Sequence, residues 1–272
     1  MNLNLANKVA IVTGASRGIG RSIAEALSQE SMRPVLAARS GDLLQEVAQS
    51  CNAEAITFAA DLRDENAPQK LVALAMEKFG RIDLLVNNAG ATKCGDFLQL
   101  TEEDWRDGFA LKFYSAVRCS RAAWPHLVNT QGSIVNIVGV GGRTGSAEFA
   151  IGGAVNAALL NLTKVLADRG IKDGVKVNAI NPGAISTDRL EIRIKKLAEE
   201  GGMAFEAASS QMAEQLGVKR FGKPAEIAAV VAFLASNQAN YCQGTILDVD
   251  GGANQNPLTR LRRSTFHLTL PA

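Results

Sequence analysis

The residues best suited to chemistry form a glycine-rich turn, Thr13-Gly14-Ala15-Ser16-Arg17-Gly18-Ile19-Gly20, set between an apolar run and a helix carrying Ile23, Ala24, Ala26 and Leu27. Glycines at this spacing allow a tight turn, close approach of the backbone to a phosphate, and close packing of helix on strand. The helix N-terminus adds open N–H groups and the positive end of a dipole, so the chemistry on offer is binding of a pyrophosphate. Three further polar or glycine-bearing segments end apolar runs: Asn87-Asn88-Ala89-Gly90, Asn181-Pro182-Gly183 and Asp248-Val249-Asp250-Gly251-Gly252.

Residues that serve other chemistries are scarce. The chain holds only His126 and His267, only Tyr114 and Tyr241, and four cysteines (Cys51, Cys94, Cys119, Cys242) without metal-ligand spacing, which argues against zinc hydrolysis. Twenty-nine Lys and Arg against 27 Asp and Glu leave a formal charge of +2, too near balance to point to nucleic acid or an anionic membrane. The N-terminus lacks the cationic and apolar segments of a secretory signal, and no apolar run reaches the roughly 18 residues needed to span a bilayer. Together with cysteines that show no pairing pattern, this implies a soluble protein of a reducing compartment, most simply the cytoplasm.

The elements that must position these residues alternate in type. Strand-like segments are Lys8 to Thr13, Pro34 to Ala38, Ala53 to Ala59, Ile82 to Asn87, Ser133 to Val138, Val175 to Ile180 and Thr245 to Val249. Helical patterns fall near 18–31, 41–50, 64–79, 102–128, 147–169, 188–216 and 224–236, the last opened by Pro224. Apolar strands alternating with helices imply one α/β domain, a doubly wound seven-stranded parallel sheet with helices on both faces. The 188–222 stretch carries a charged run, then Gly201 and Gly202, and reads either as a solvated helix pair or as a hinged lid over a ligand crevice. The domain is expected over 1–252. Residues 253–272 form a basic tail with Arg260, Arg262 and Arg263, whose expected fate is disorder or contact with a neighbouring subunit.

In this order, TGASRGIG, NNAG, Asn-Pro-Gly and the terminal Asp-Val-Asp-Gly-Gly resemble the short-chain dehydrogenase/reductase family, with the 3-oxoacyl-(acyl-carrier-protein) reductases as the nearest subgroup. The likeness runs from about residue 6 to residue 252. It implies a Rossmann-type sheet, a nicotinamide dinucleotide cofactor and a small carbonyl or alcohol substrate. By the family's pattern, Gly14, Ser16, Gly18, Ile19 and Gly20 would cradle the pyrophosphate, and Asp61 and Leu62 would lie beside the adenine. Asn88, Ala89 and Gly90 would line the adenosine ribose, and Pro182 and Gly183 belong to the same crevice. Arg39 and Ser40 follow the second strand and Arg17 lies in the glycine turn. Cations without a competing acid there favour NADP(H), unless Arg39 is simply a solvated surface residue.

The family's catalytic Asn, Ser, Tyr and Lys fall here on Lys112, Gly139, Gly152 and Asn156, so none keeps its identity. Neither tyrosine can form Tyr-x-x-x-Lys, since Arg118 follows Tyr114 by four and Thr245 follows Tyr241 by four. Lys112 and Asn156 represent an amine and an amide exchanged between helices, or two unrelated changes. Glu148 and Ser146, before the 147–169 helix, would face the substrate if their loop lies in the cleft. Glu148 could then serve as an acid or base, the competing reading being a helix first-turn residue favoured by the dipole. The 147–169 helix is apolar on several faces, which implies a dimer or tetramer interface or core packing. Two functions follow: an NADP(H)-dependent oxidoreductase on a carbonyl/alcohol pair with a rebuilt proton-transfer group, or a catalytically silent dinucleotide-binding protein acting as sensor or partner subunit.

Overall fold

Short runs of β-branched and aliphatic residues build the centre of the molecule, whose residues 2–253 are described by a computed structural model. The strands are β1 (Val9–Thr13), β2 (Arg33–Ala38), β3 (Ile56–Ala59), β4 (Leu84–Asn87), β5 (Ser133–Ile137), β6 (Lys176–Pro182) and β7 (Ile246–Val249). They pair in parallel in the order β3-β2-β1-β4-β5-β6-β7. Every residue of β1, β4 and β5 is buried, as strands covered on both faces must be. The chain reverses direction across the sheet between β1 and β4, which opens a crevice at their carboxyl ends.

The helices are α1 (Gly18–Gln29), α2 (Gly41–Ser50), α3 (Ala67–Phe79), α4 (Glu102–Gly108), α5 (Ser115–Thr130), α6 (Ala150–Asp173), α7 (Asp188–Gly201), α8 (Phe205–Gln215) and α9 (Pro224–Ala235). Ile23, Ala24 and Leu27 of α1, Leu44 and Val47 of α2, and Ile227, Val231 and Leu234 of α9 cover one face. Leu71 and Ala75 of α3, Cys119, Ala123 and Leu127 of α5, and Ala167 of α6 cover the other.

Several boundaries differ from the sequence pattern for local reasons. The expected helix over 64–79 begins at Ala67, because Asp64 and Asn66 form a turn in which the Asp64 side chain accepts from Asn66 N. The single helix expected over 102–128 is interrupted by a π-helical stretch, Phe109–Tyr114, before it resumes as α5. The 188–216 stretch is two helices, split where Gly202 turns left-handed at φ +58. Helix α6 with its preceding turn is 27 residues long and holds an 18-residue stretch of mean hydropathy 1.4, long and apolar enough by those measures to cross a bilayer. Its Ile151, Val155, Leu159 and Thr163 are nevertheless buried, and it packs on β6. Of the expected 253–272 tail, all but Ala253 lies outside the described residues.

Polar side chains inside the sheet bond to neighbouring strands and helices. Asn87 and Asn136 stand opposite one another on β4 and β5, and Asn87 Nδ2 donates to Asn136 Oδ1 at 2.9 Å and to Ser120 Oγ on α5. Asn136 passes the chain to Thr163 on α6. At the other end of the sheet, buried Asp83 accepts from Val9 N at 2.9 Å and takes a two-pronged contact from Arg81. This carboxylate ties the start of β1 to the start of β4. Asp83→Ala is therefore expected to lower stability by about 2 kcal/mol, leaving Val9 N without its acceptor, as urea denaturation would show.

Candidate active site

The glycine turn folds onto the end of β4 through one hydroxyl and one amide. Thr13 Oγ1 donates to Val86 O and accepts from Asn88 N and Ala89 N, while Asn88 Nδ2 donates to Thr13 O and Gly14 O. Gly14 is left-handed at φ +66, and a Cβ on Gly20 would lie 2.1 Å from Gly14 O and 2.5 Å from Asn88 Nδ2. Only glycine fits where α1 meets this turn. Arg17 at the N-cap offers no side-chain acceptor to α1, so the first N–H groups of the helix remain open to an anion. Gly14, Ser16, Gly18, Ile19 and Gly20 thus surround the open N-terminus of α1.

Arg39 and Ser40 lie exposed beyond the end of β2, and Arg17 is exposed in the glycine turn. Asp61 does not stand free beside the adenine position: Arg63 reaches both its oxygens at 3.1–3.2 Å and forks to Asp107 on α4. The Asp107 carboxyl is held below its usual range by that Arg63 hydrogen bond, and the charge of Arg39 acts in the same direction. The acid nearest in effect to Arg39 is thus already bound to another cation. The sequence pattern contained no hint of Arg63 or Asp107, which come together only through the fold. Leu62 is buried, and Pro182 and Gly183 end β6, with Gly183 N donating to Val249 O.

On the far side of the crevice, Lys112 sits within the π-helical stretch, where an extra residue widens the turn. Its Nζ donates to Val138 O at 2.5 Å, and its stem lies against Gly90, on which a Cβ would come within 2.9 Å of Lys112 Cδ. Burial, aided by the charge of Arg189, lowers the ammonium pKa to about 7. Gly139 adopts φ +135, a conformation open to glycine, and its N–H donates to Asn181 Oδ1. Asn156 is 2% exposed and packs beneath this loop; a Cβ on Gly139 would lie 3.1 Å from its Nδ2. Lys112 and Asn156 therefore flank the same strand end, Val138 and Gly139, from opposite helices. Among the described residues Asn156 Oδ1 has no hydrogen-bond partner, so the two do not pair with each other.

Gly152 lies under the ring of Phe149. Glu148 stands in the short turn Ala147–Phe149 and is exposed, as is Ser146. The desolvated cleft that would suit Glu148 to proton transfer is thus not where its side chain lies. Its contribution is a backbone oxygen that accepts from Gly95 N at 2.9 Å, joining the loops after β4 and β5. Helices α7 and α8 share an apolar seam of Leu190, Ile194, Ala208 and Met212. The start of α7 nonetheless reaches the crevice: Thr187 packs on Gly18, and Arg189 Nη2 donates to Gly90 O at 3.0 Å.

Because burial disfavours the charged form of Lys112, the native state binds fewer protons there than the unfolded chain between pH 7 and about 10.4. The resulting penalty is complete below pH 7 and disappears as pH rises through that window. Lys112→Met should therefore gain stability over the parent chain most strongly at pH 6 and least at pH 10, as paired denaturation curves would reveal.

With this geometry in place, comparison with known proteins is informative. A family model described as enoyl-(acyl carrier protein) reductase matches residues 14–254. Meso-2,3-butanediol dehydrogenase of Serratia marcescens is 35% identical over 252 residues, covering 91% of this chain and 94% of that protein. A 3-oxoacyl-[acyl-carrier-protein] reductase of Vibrio cholerae is 35% identical over 251 residues, covering 92% and 98%. The crystal structure of L-sorbose reductase from Gluconobacter frateurii, complexed with NADPH and L-sorbose, superposes with TM-score 0.90 at 32% identity over 94% of this chain and 100% of that one. The likeness in sequence and in overall fold covers more than nine-tenths of the chain, and the chain belongs to the short-chain dehydrogenase/reductase family of oxidoreductases.

Proposed function

We propose that the protein is an NADP(H)-dependent oxidoreductase acting on a carbonyl/alcohol pair, 3-oxoacyl reductase-like, in which Lys112 transfers the proton. The observation that carries this reading is the placement of Lys112: a half-buried amine at the carboxyl edge, beside Gly90, anchored to Val138 O and titrating near neutral pH. The standard serine and tyrosine positions, Gly139 and Gly152, offer no side chain to do so.

The glycine cradle and the open N-terminus of α1 would hold the pyrophosphate, and Arg39, Ser40 and Arg17 the 2′-phosphate. Asp61, Leu62, Asn88, Ala89 and Gly90 would line the adenosine half, with Pro182 and Gly183 further along the crevice. With neither tyrosine nor lysine at 152 and 156, the cofactor is held mainly at its adenosine end. When bound, the reduced dinucleotide supplies an electron pair and one hydrogen to the carbonyl carbon. The Lys112 ammonium gives its proton to the carbonyl oxygen and is left as a neutral amine, recharged from water; in alcohol oxidation the neutral amine takes the proton. Val138 O holds Nζ in place throughout, and the Asn156 amide keeps an acceptor buried beneath the loop that bears Gly139.

A catalytically silent dinucleotide-binding protein, acting as sensor or partner subunit, is the second reading. It is favoured by Gly152 and Gly139, which leave the proton donor's usual positions bare. Self-association as a dimer or tetramer is supported by apolar side chains exposed on α5 and α6, namely Val128, Val165 and Ile171. A reducing, cytoplasmic setting is supported by four free cysteines.

NADPH oxidation against ketones, including 3-oxoacyl thioesters, separates the two readings, and absence of turnover over the whole panel would favour the silent protein. Reductive kcat is expected to fall as pH rises through about 7, and alcohol oxidation to rise through the same range. Lys112→Met should lower kcat by about 100-fold or more while NADPH still binds. Arg39→Ala should weaken NADPH roughly tenfold and leave NADH nearly unchanged in calorimetric titration.

A further inference from the structure

We infer that Phe149 is the specificity-determining wall of the crevice, selecting carbonyl compounds with an apolar, flat substituent over polyhydroxylated ones; this deepens the oxidoreductase reading and rests on it. A Cβ built on Gly152 would lie 2.0 Å from Phe149 Cζ, 2.3 Å from Cε2 and 2.4 Å from Cε1. The ring therefore occupies the space into which any side chain at 152 would project. From the other side a Cβ on Gly141 would come within 2.9 Å of Cε1 and 3.0 Å of Cδ1. The benzyl group is gripped between two glycines, one on the loop after β5 and one on the first turn of α6. It belongs to none of the buried apolar clusters that form the core and is partly exposed, so it presents an apolar face at the carboxyl edge of the sheet.

Its backbone is fixed to match. Phe149 N donates to Ser146 O, and the neighbouring Glu148 O accepts from Gly95 N. The Ala147–Phe149 turn packs on the Phe97–Gln99 turn, where Phe97 and Leu98 are 58% and 81% exposed. Two loops at the mouth of the crevice thus display aromatic and aliphatic surface. A ring face has no donor or acceptor for a substrate hydroxyl, and a hydroxyl pressed against it loses water without replacement, whereas an aryl or alkyl group gains by burial.

Binding of acetophenone and of dihydroxyacetone, followed by ligand-observed NMR with and without NADPH, tests the assignment without requiring turnover. The parent chain should bind acetophenone more tightly. Phe149→Ala should weaken acetophenone by about tenfold and leave dihydroxyacetone nearly unchanged. Gly152→Ala, which must displace the ring, should act in the same direction, and Phe149→Leu should fall between parent and alanine. Equal binding of the two ketones by the parent, or unchanged acetophenone affinity in Phe149→Ala, overturns the inference. Should the alanine variant fail to fold by circular dichroism, an unchanged Phe149→Leu overturns it equally. A ketone preference intact in a chain that never oxidises NADPH would instead reject the oxidoreductase reading and leave the wall in place.

Discussion

The crevice depends on the knot between Thr13 and Asn88. Parallel strands β1 and β4 end side by side where the chain reverses its direction across the sheet, and the ladder does not tie together the segments that leave them, since Gly14 N and Ala15 N donate to Ala37 O of β2 on the far side. One threonine hydroxyl and one asparagine amide do so, by satisfying the carbonyls of Thr13, Gly14 and Val86 and the N–H groups of Asn88 and Ala89. These groups lie in a protein interior where an unmet donor or acceptor is costly. The glycine turn, the start of α1 and the approach of Gly90 to Lys112 all take their positions from that junction.

From there the two sides of the crevice have different characters. The side of the glycine turn is built of backbone, glycine and exposed cations, and its acids, Asp61 and Asp107, are tied to Arg63. The side that bears Lys112 is built of residues that fit closely against one another. Gly139 takes a conformation that a serine would adopt only under strain, Gly152 makes room for a ring, and Lys112 reaches from a widened helical turn to the carbonyl beside Gly139. A side chain added at 139 would crowd Asn156, and one added at 152 would collide with the Phe149 ring.

The sheet, most helices and the glycine turn were legible in the sequence because each leaves a local mark: fully apolar strands, 3.6-residue periodicity, and glycines where α1 begins; the breaks at Phe109–Tyr114 and Gly202, which make nine helices of an expected seven, leave none. Lys112 and Asn156 could be named from spacing, yet not their relation, which depends on where the Val138 carbonyl ends up between two helices. Phe149 carries no mark of its own in the sequence, because a lone phenylalanine beside a helix start resembles any core residue; its signal is Gly152, a glycine in an apolar helix three residues on. Which of the two readings of Glu148 holds is not marked in the sequence for a related reason, since burial of a loop carboxylate follows from loop packing and not from its neighbours in sequence. Arg63 and Asp107 lie 44 residues apart, and only tertiary structure joins them.

The widened turn at Phe109–Tyr114 reaches beyond Lys112. One surplus residue in a helix advances everything after it by about 100° around the axis. Before the turn, Gly108 of α4 abuts Ile151 of α6; after it, Ala116, Cys119, Ala123 and Leu127 of α5 face the sheet. An unbroken α-helix would carry both sets at one fixed angular offset, whereas the surplus residue works as a phase shifter between two docking partners. The Ser115 hydroxyl donates to Leu111 O, furnishing a partner to a carbonyl inside the dislocation. The amine at the crevice is in this sense a by-product of gearing: it stands at the tooth where one helix changes mesh.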